Sequence, residues 1–159
     1  MPSDREIIVE RTIGGPPEIV FKAYTDVRHL ARWWGPDGFT TTTSAFEFRV
    51  GGAWEFVMHG PDGTDYPNHI EYREIVPAER IVFVHGERQG DPEAFVSTIT
   101  FAARDGGAAT DVVMRAVFKD KATRDKVVTE FGAIEGGKQT LAHLDDYVRT
   151  LSTVGAGSE

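Results

Sequence analysis

The chain has 159 residues and a mass of 17.5 kDa, enough for one domain with a sizeable core. Hydrophobic residues make up 40% and charged residues 26%, and no apolar run approaches the roughly 18 residues that span a bilayer, so membrane insertion is not expected. A net charge of -8 argues against nucleic acid and anionic membranes as partners, and the absence of cysteine excludes disulfides, thiolate metal sites and cysteine nucleophiles.

No apolar stretch of signal-peptide length follows the N-terminal residues, so a cytoplasmic protein is expected. Residues 7–13 are short, apolar and rich in β-branched side chains, which predicts a first strand. Gly14, Gly15, Pro16 and Pro17 stop it, and Pro17 suits the first position of a helix. Apolar residues from Val20 to Trp34 then recur at three-and-four spacing. Asp26 divides them as a cap, giving two short helices over 17–25 and 27–33. Six strand signals follow, at 39–50, 53–59, 66–76, 80–85, 95–104 and 110–118, punctuated by Gly51-Gly52, Pro61-Asp62-Gly63, Pro77-Ala78 and Asp105-Gly106-Gly107. Short turns between successive strands predict an antiparallel meander, and no βαβ repeat supports a parallel sheet.

The last third reads as helical. Asp120 caps a helix to about residue 131, Gly132 breaks it, and Ile134, Leu141, Leu144, Val148 and Leu151 form one apolar stripe beyond. Residues 152–159 are small and mostly polar and read as a flexible tail after a single domain over 5–151. The expected class is α+β: a seven-stranded curved antiparallel sheet wrapped around a long C-terminal helix, with the two short helices between strands 1 and 2. A curved sheet cannot touch a straight helix everywhere, so an aromatic-walled cavity between them is expected.

Several motifs are familiar in this order: Thr25-Asp26, Trp33-Trp34-Gly35-Pro36, Gly51-Gly52, Met58 to Gly63, Glu74 to Pro77 followed by Glu79-Arg80, and Gly132 to Gly137 before Thr140-Leu141. Together they resemble the single-domain bacterial branch of the family named for activators of the heat-shock protein 90 ATPase. That family falls within the START-like, Bet v 1-like (SRPBCC) superfamily of the helix-grip fold. The resemblance runs from Glu6 to Leu151 and implies the same architecture. It implies function less well, because related superfamily members bind lipids, hormones or polyketides and a few are enzymes. A chaperone-linked, stress-response role is an alternative; in the eukaryotic namesake an additional N-terminal domain carries much of the chaperone contact.

The residues themselves favour binding over catalysis. The five histidines, His29, His59, His69, His85 and His143, include no pair at helical ligand spacing, so no metal site is expected. No nucleophile elbow, phosphate loop or dinucleotide fingerprint occurs, and neither a cofactor nor a catalytic residue is assigned. Glu71, Arg73, His69, His85 and Tyr72 are candidates for acid–base work if they project inward. The register that packs apolar residues against Trp54 and Phe56 turns Ile70 and Tyr72 inward instead. His29 and His143 are expected to be solvated on helix surfaces.

The leading expectation is binding of a small apolar molecule in the internal cavity. The alternatives are an enzyme acting on a cyclic or polyketide-like substrate there, or an interaction module, including a homodimer through a sheet edge. The expected cavity lining comes from the second helix and the turn after it (Trp33, Trp34, Phe39) and from the sheet (Trp54, Phe56, Met58, Ile70, Tyr72, Phe83, His85). The last helix adds Ile134, Gly137 and Leu141. Two adjacent tryptophans at a helix end cannot both point inward, so one is expected in the core and the other at the rim. Gly137 lies on the apolar stripe with no side chain. It leaves room either for a ligand or for a close-packed neighbour.

Overall fold

A computed structural model describes residues 4–157. Alternation of apolar and polar residues produces the strands β1 (Glu6–Ile13), β2 (Thr40–Phe46), β3 (Ala53–His59), β4 (Asp65–Val76), β5 (Arg80–Gly86), β6 (Phe95–Arg104) and β7 (Ala109–Val117). They form one antiparallel sheet in the order β1-β7-β6-β5-β4-β3-β2. Consecutive strands are neighbours from β2 to β7, the predicted meander, and β1 closes the far edge against β7. The strand expected over 39–50 ends at Phe46. Beyond it the chain folds back, with Glu47 N–H donating to Ala53 O, and Gly51 and Gly52 bonding the backbone of Tyr72.

The helices are α1 (Pro17–Lys22), α2 (Val27–Trp33), α3 (Lys121–Phe131) and α4 (Ala133–Gly157). Asp26 caps α2 by accepting from Arg28 N–H at 2.8 Å, and Asp120 caps α3 by accepting from Thr123 N–H at 2.8 Å. Gly132 separates α3 from α4 in the left-handed conformation at φ 60°, which glycine adopts without a Cβ clash. The helical backbone of α4 continues past Leu151 to Gly157, whereas the tail was expected to begin at 152; residues 158–159 lie outside the described residues.

One face of the sheet carries the core. Trp54, Ile70, Ile81, Ile99 and Val112 point into it from five strands, and Leu141, Leu144 and Val148 meet them from α4, all at 1% exposure or less. On β4, Ile70 and Tyr72 are buried, so the apolar register is the one adopted. The backbone of the long helix comes closest to the sheet at its β1 edge. It packs chiefly along β1 and touches α1, α2 and α3. Asp145 of α4 holds it there by accepting from Gly14 N–H at 2.8 Å and pairing with Arg11 of β1.

Candidate functional site

Aromatic side chains from the helices and strands pack in the middle of the sheet. Trp33 is 2% exposed and donates its indole N–H to Ala23 O at 3.0 Å. Trp34 is half-buried, with ring centroids 4.9 Å from Trp54 and 6.0 Å from Phe56. Trp54 stacks on Phe56 at 3.8 Å. What space remains there is about 10 Å³ between Tyr24, Trp34, Trp54, Tyr72 and their neighbours, room for about one water. The aromatic-walled cavity expected between the sheet and α4 is thus reduced to this small space, because bulky rings from the helices and strands pack there.

Open space lies elsewhere. A cleft of about 540 Å³ runs between α3, the turn after α2 and the adjoining ends of β3–β6. Phe39, Met58, Tyr66, His85, Phe95 and Phe118 give it an apolar wall. The rings interlock: His85 lies 4.9 Å from Phe95, Phe95 lies 4.7 Å from Phe118, and Phe39 lies 5.9 Å from Tyr66. Glu87, Arg88, Asp91, Glu93, Lys126 and Glu130 carry the charges around it. Asp91 is already engaged, accepting from the N–H groups of Glu87 and Glu93, and these bonds hold its carboxyl below the usual range.

His85 is a polar group set into this wall beside Asn68. Its Nε2 lies 2.7 Å from Asn68 Oδ1. Burial, followed by the nearby charge of His69, pushes its pKa down to about 4. His85 is therefore a neutral ring at physiological pH. Deeper in, burial raises Tyr24 and Tyr72 far above the ordinary tyrosine range, so both stay protonated; among the described residues none bonds the Tyr24 hydroxyl.

The thirteen expected lining residues thus separate into groups. Phe39, Met58 and His85 line the cleft. Trp34, Trp54, Ile70, Tyr72 and Phe83 surround the small void, while Trp33, Phe56 and Leu141 are buried core. Ile134 packs partly buried against that core. Gly137 faces β1: a Cβ there would lie 3.1 Å from Val9 Cγ2, so its bareness lets α4 approach β1 closely. Asn68, Tyr66, Phe118 and the α3 residues escaped the sequence reading. Asn68 shares the inward face of Ile70 and Tyr72 by simple alternation, but nothing local in α3 announces that it borders a cleft.

The other polar candidates lie apart from the cleft. Glu71 pairs with Arg73 at 2.7 Å and His69 lies 3.6 Å from Glu55, on the opposite face of the sheet from Ile70 and Tyr72. His59 bridges Asp65 at 2.7 Å and Thr42 at 2.8 Å. The two helix histidines are engaged, contrary to expectation. His29 Nδ1 meets the Tyr147 hydroxyl at 2.5 Å, and His143 bonds Gly35 O and Asp37 Oδ1 at 2.9 and 2.6 Å, tying α4 to the turn after α2. Among the described residues, no group of three or more His, Asp or Glu could hold a metal ion, and no helix is long and apolar enough to cross a membrane.

A long C-terminal helix gripped by a curved antiparallel sheet, with a cleft at one end, defines a helix-grip protein of the START-like class. The chain belongs to the family of Activator of Hsp90 ATPase homolog 1-like proteins, whose model matches residues 15–149. Its fold is similar to that of a protein from Nitrosomonas europaea at TM-score 0.84 and 20% identity, covering 96% of this chain and 99% of that one. A protein from Chromobacterium violaceum aligns at TM-score 0.75 and 27% identity, over 91% and 96% of the two chains. One from Arthrobacter aurescens aligns at TM-score 0.82 and 22% identity, over 92% and 87%. No curated protein matches the chain.

Proposed function

We propose that this protein binds a small, largely apolar molecule, and that the binding site is the cleft beside α3 rather than the middle of the sheet. The observation that carries this reading is the cleft of about 540 Å³ walled by Phe39, Met58, Tyr66, His85, Phe95 and Phe118, a volume within the range of small-molecule sites. Membership of a superfamily whose members bind lipids, hormones or polyketides supports it. So does the state of His85, too weakly basic to accept a full proton at neutral pH and therefore better suited to holding a ligand than to abstracting a proton. The functional unit proposed is the domain over 5–151, in the cytoplasm. Light scattering decides whether it works as a homodimer.

Titration with Nile red, a neutral dye whose emission rises in apolar surroundings, tests the proposal. Saturable binding is expected, with amide shift changes in the nuclear magnetic resonance spectrum centred on Phe95, Phe118 and Val127. No binding, or changes confined to the outer face of the sheet, would overturn it.

A further inference from the structure

His85 does more than contribute area to the wall, because its neighbours fix which of its nitrogens carries the proton. Asn68 Nδ2–H donates to Tyr66 O at 2.9 Å, which turns the amide so that its oxygen faces His85. That oxygen lies 2.7 Å from Nε2 and can only accept. In the neutral ring Nε2 therefore carries the hydrogen and Nδ1 is left with a lone pair. Among the described residues none bonds to Nδ1. Nor, among the described residues, is it one of the buried side-chain atoms without a hydrogen bond, which are Tyr24 Oη, Thr41 Oγ1 and His69 Nδ1. His85 lines the aromatic cleft with Phe95 4.9 Å away, so that wall carries an acceptor of fixed tautomer.

Resting on the cleft reading above, we propose that the ligand is a neutral, flat cyclic alcohol, such as an aryl alcohol, whose hydroxyl donates to His85 Nδ1 while its ring lies against Phe95 and Phe118. The charges around the cleft agree with a neutral ligand. With Asp91 committed to its own loop, Glu87, Glu93 and Glu130 outnumber Arg88 and Lys126, and a lone pair at Nδ1 repels a carboxylate. The depressed basicity of His85 keeps this acceptor available across the physiological range.

Three probes of similar shape separate the possibilities: 2-naphthol, 2-methoxynaphthalene and 2-naphthoate. The wild-type protein is expected to bind 2-naphthol about tenfold more tightly than the methoxy compound, the worth of one net hydrogen bond, and 2-naphthoate most weakly. His85→Phe should abolish the preference while retaining affinity for 2-methoxynaphthalene, and Asn68→Leu should weaken it. Equal binding of naphthol and methoxynaphthalene to the wild type, or tightest binding of naphthoate, would overturn this inference and leave the cleft as a binding site. Failure of all three neutral and anionic probes to bind would overturn both. Long-range proton–nitrogen correlation on the wild type gives a check that needs no variant. Protonation of His85 at Nε2 supports the inference, and protonation at Nδ1 refutes it.

Discussion

Arg11 on β1 and Asp145 on α4, 134 positions apart, meet through two hydrogen bonds of 3.2 Å to one carboxylate oxygen. The other oxygen accepts from Gly14 N–H at 2.8 Å and from Arg149 at 3.0 Å. The Asp145 side chain is only 5% exposed, so its charge is stabilised by these donors rather than by water. The pair fixes the long helix against the edge strand β1.

Asp145→Asn should cost about 2 kcal/mol in urea denaturation, because the Arg11 and Arg149 bonds weaken while Gly14 keeps an acceptor. Burial alone would raise the Asp145 pKa, but the bonds from Gly14, Arg149 and Arg11 outweigh it and hold the carboxyl below its ordinary value. A lowered folded-state pKa stabilises the protein above the unfolded carboxyl value of about 3.9, and this is lost as pH falls through the folded value. The variant should therefore lose less stability than the wild type between about pH 5 and pH 2.

His85 adds a second acid-sensitive contribution, of different origin. Its pKa falls from 6.5 to about 4 on folding, mainly through burial. Protonation therefore favours the unfolded chain; the contribution is complete above the unfolded value and is lost as pH falls toward the folded one. His85→Phe should flatten the pH dependence of stability between about pH 7 and pH 4 by roughly 3 kcal/mol. An unchanged slope would contradict the burial of this ring.

Gly137→Leu should destabilise the protein by about 1–3 kcal/mol, since a side chain there meets Val9 at once. Adding Val9→Ala should recover part of that loss, and a thermodynamic double-mutant cycle measures the coupling. A variant that gained thermal stability would mean instead that Gly137 fronts an open space.

Trp34→Ala should merge the small internal void with the space the indole leaves. A loss of about 3 kcal/mol is expected, together with stronger Nile red uptake than in the wild type. Unchanged dye binding would show that the enlarged core stays sealed.

The element order was legible from local signals alone. Turn residues such as Pro61-Asp62-Gly63 and the caps Asp26 and Asp120 act over a few residues, and apolar alternation decided that Ile70 and Tyr72 turn inward. The family resemblance was equally a property of the linear motif order. The location of open space was not legible, because it depends on how far α4 sits from the sheet centre and on which rings fill the gap. One of the adjacent Trp33 and Trp34 was expected in the core, but only the fold selected Trp33, sealed at 2% exposure, and left Trp34 half-buried against Trp54 and Phe56. Gly137 could equally have faced a ligand or a strand, and only the approach of β1 placed Val9 against it. The proton on His85 is likewise a tertiary matter, set by an amide on the neighbouring strand, whose own orientation follows from its bond to Tyr66 O. Local chemistry chose the elements; the packing of elements distant in sequence chose where a ligand could fit.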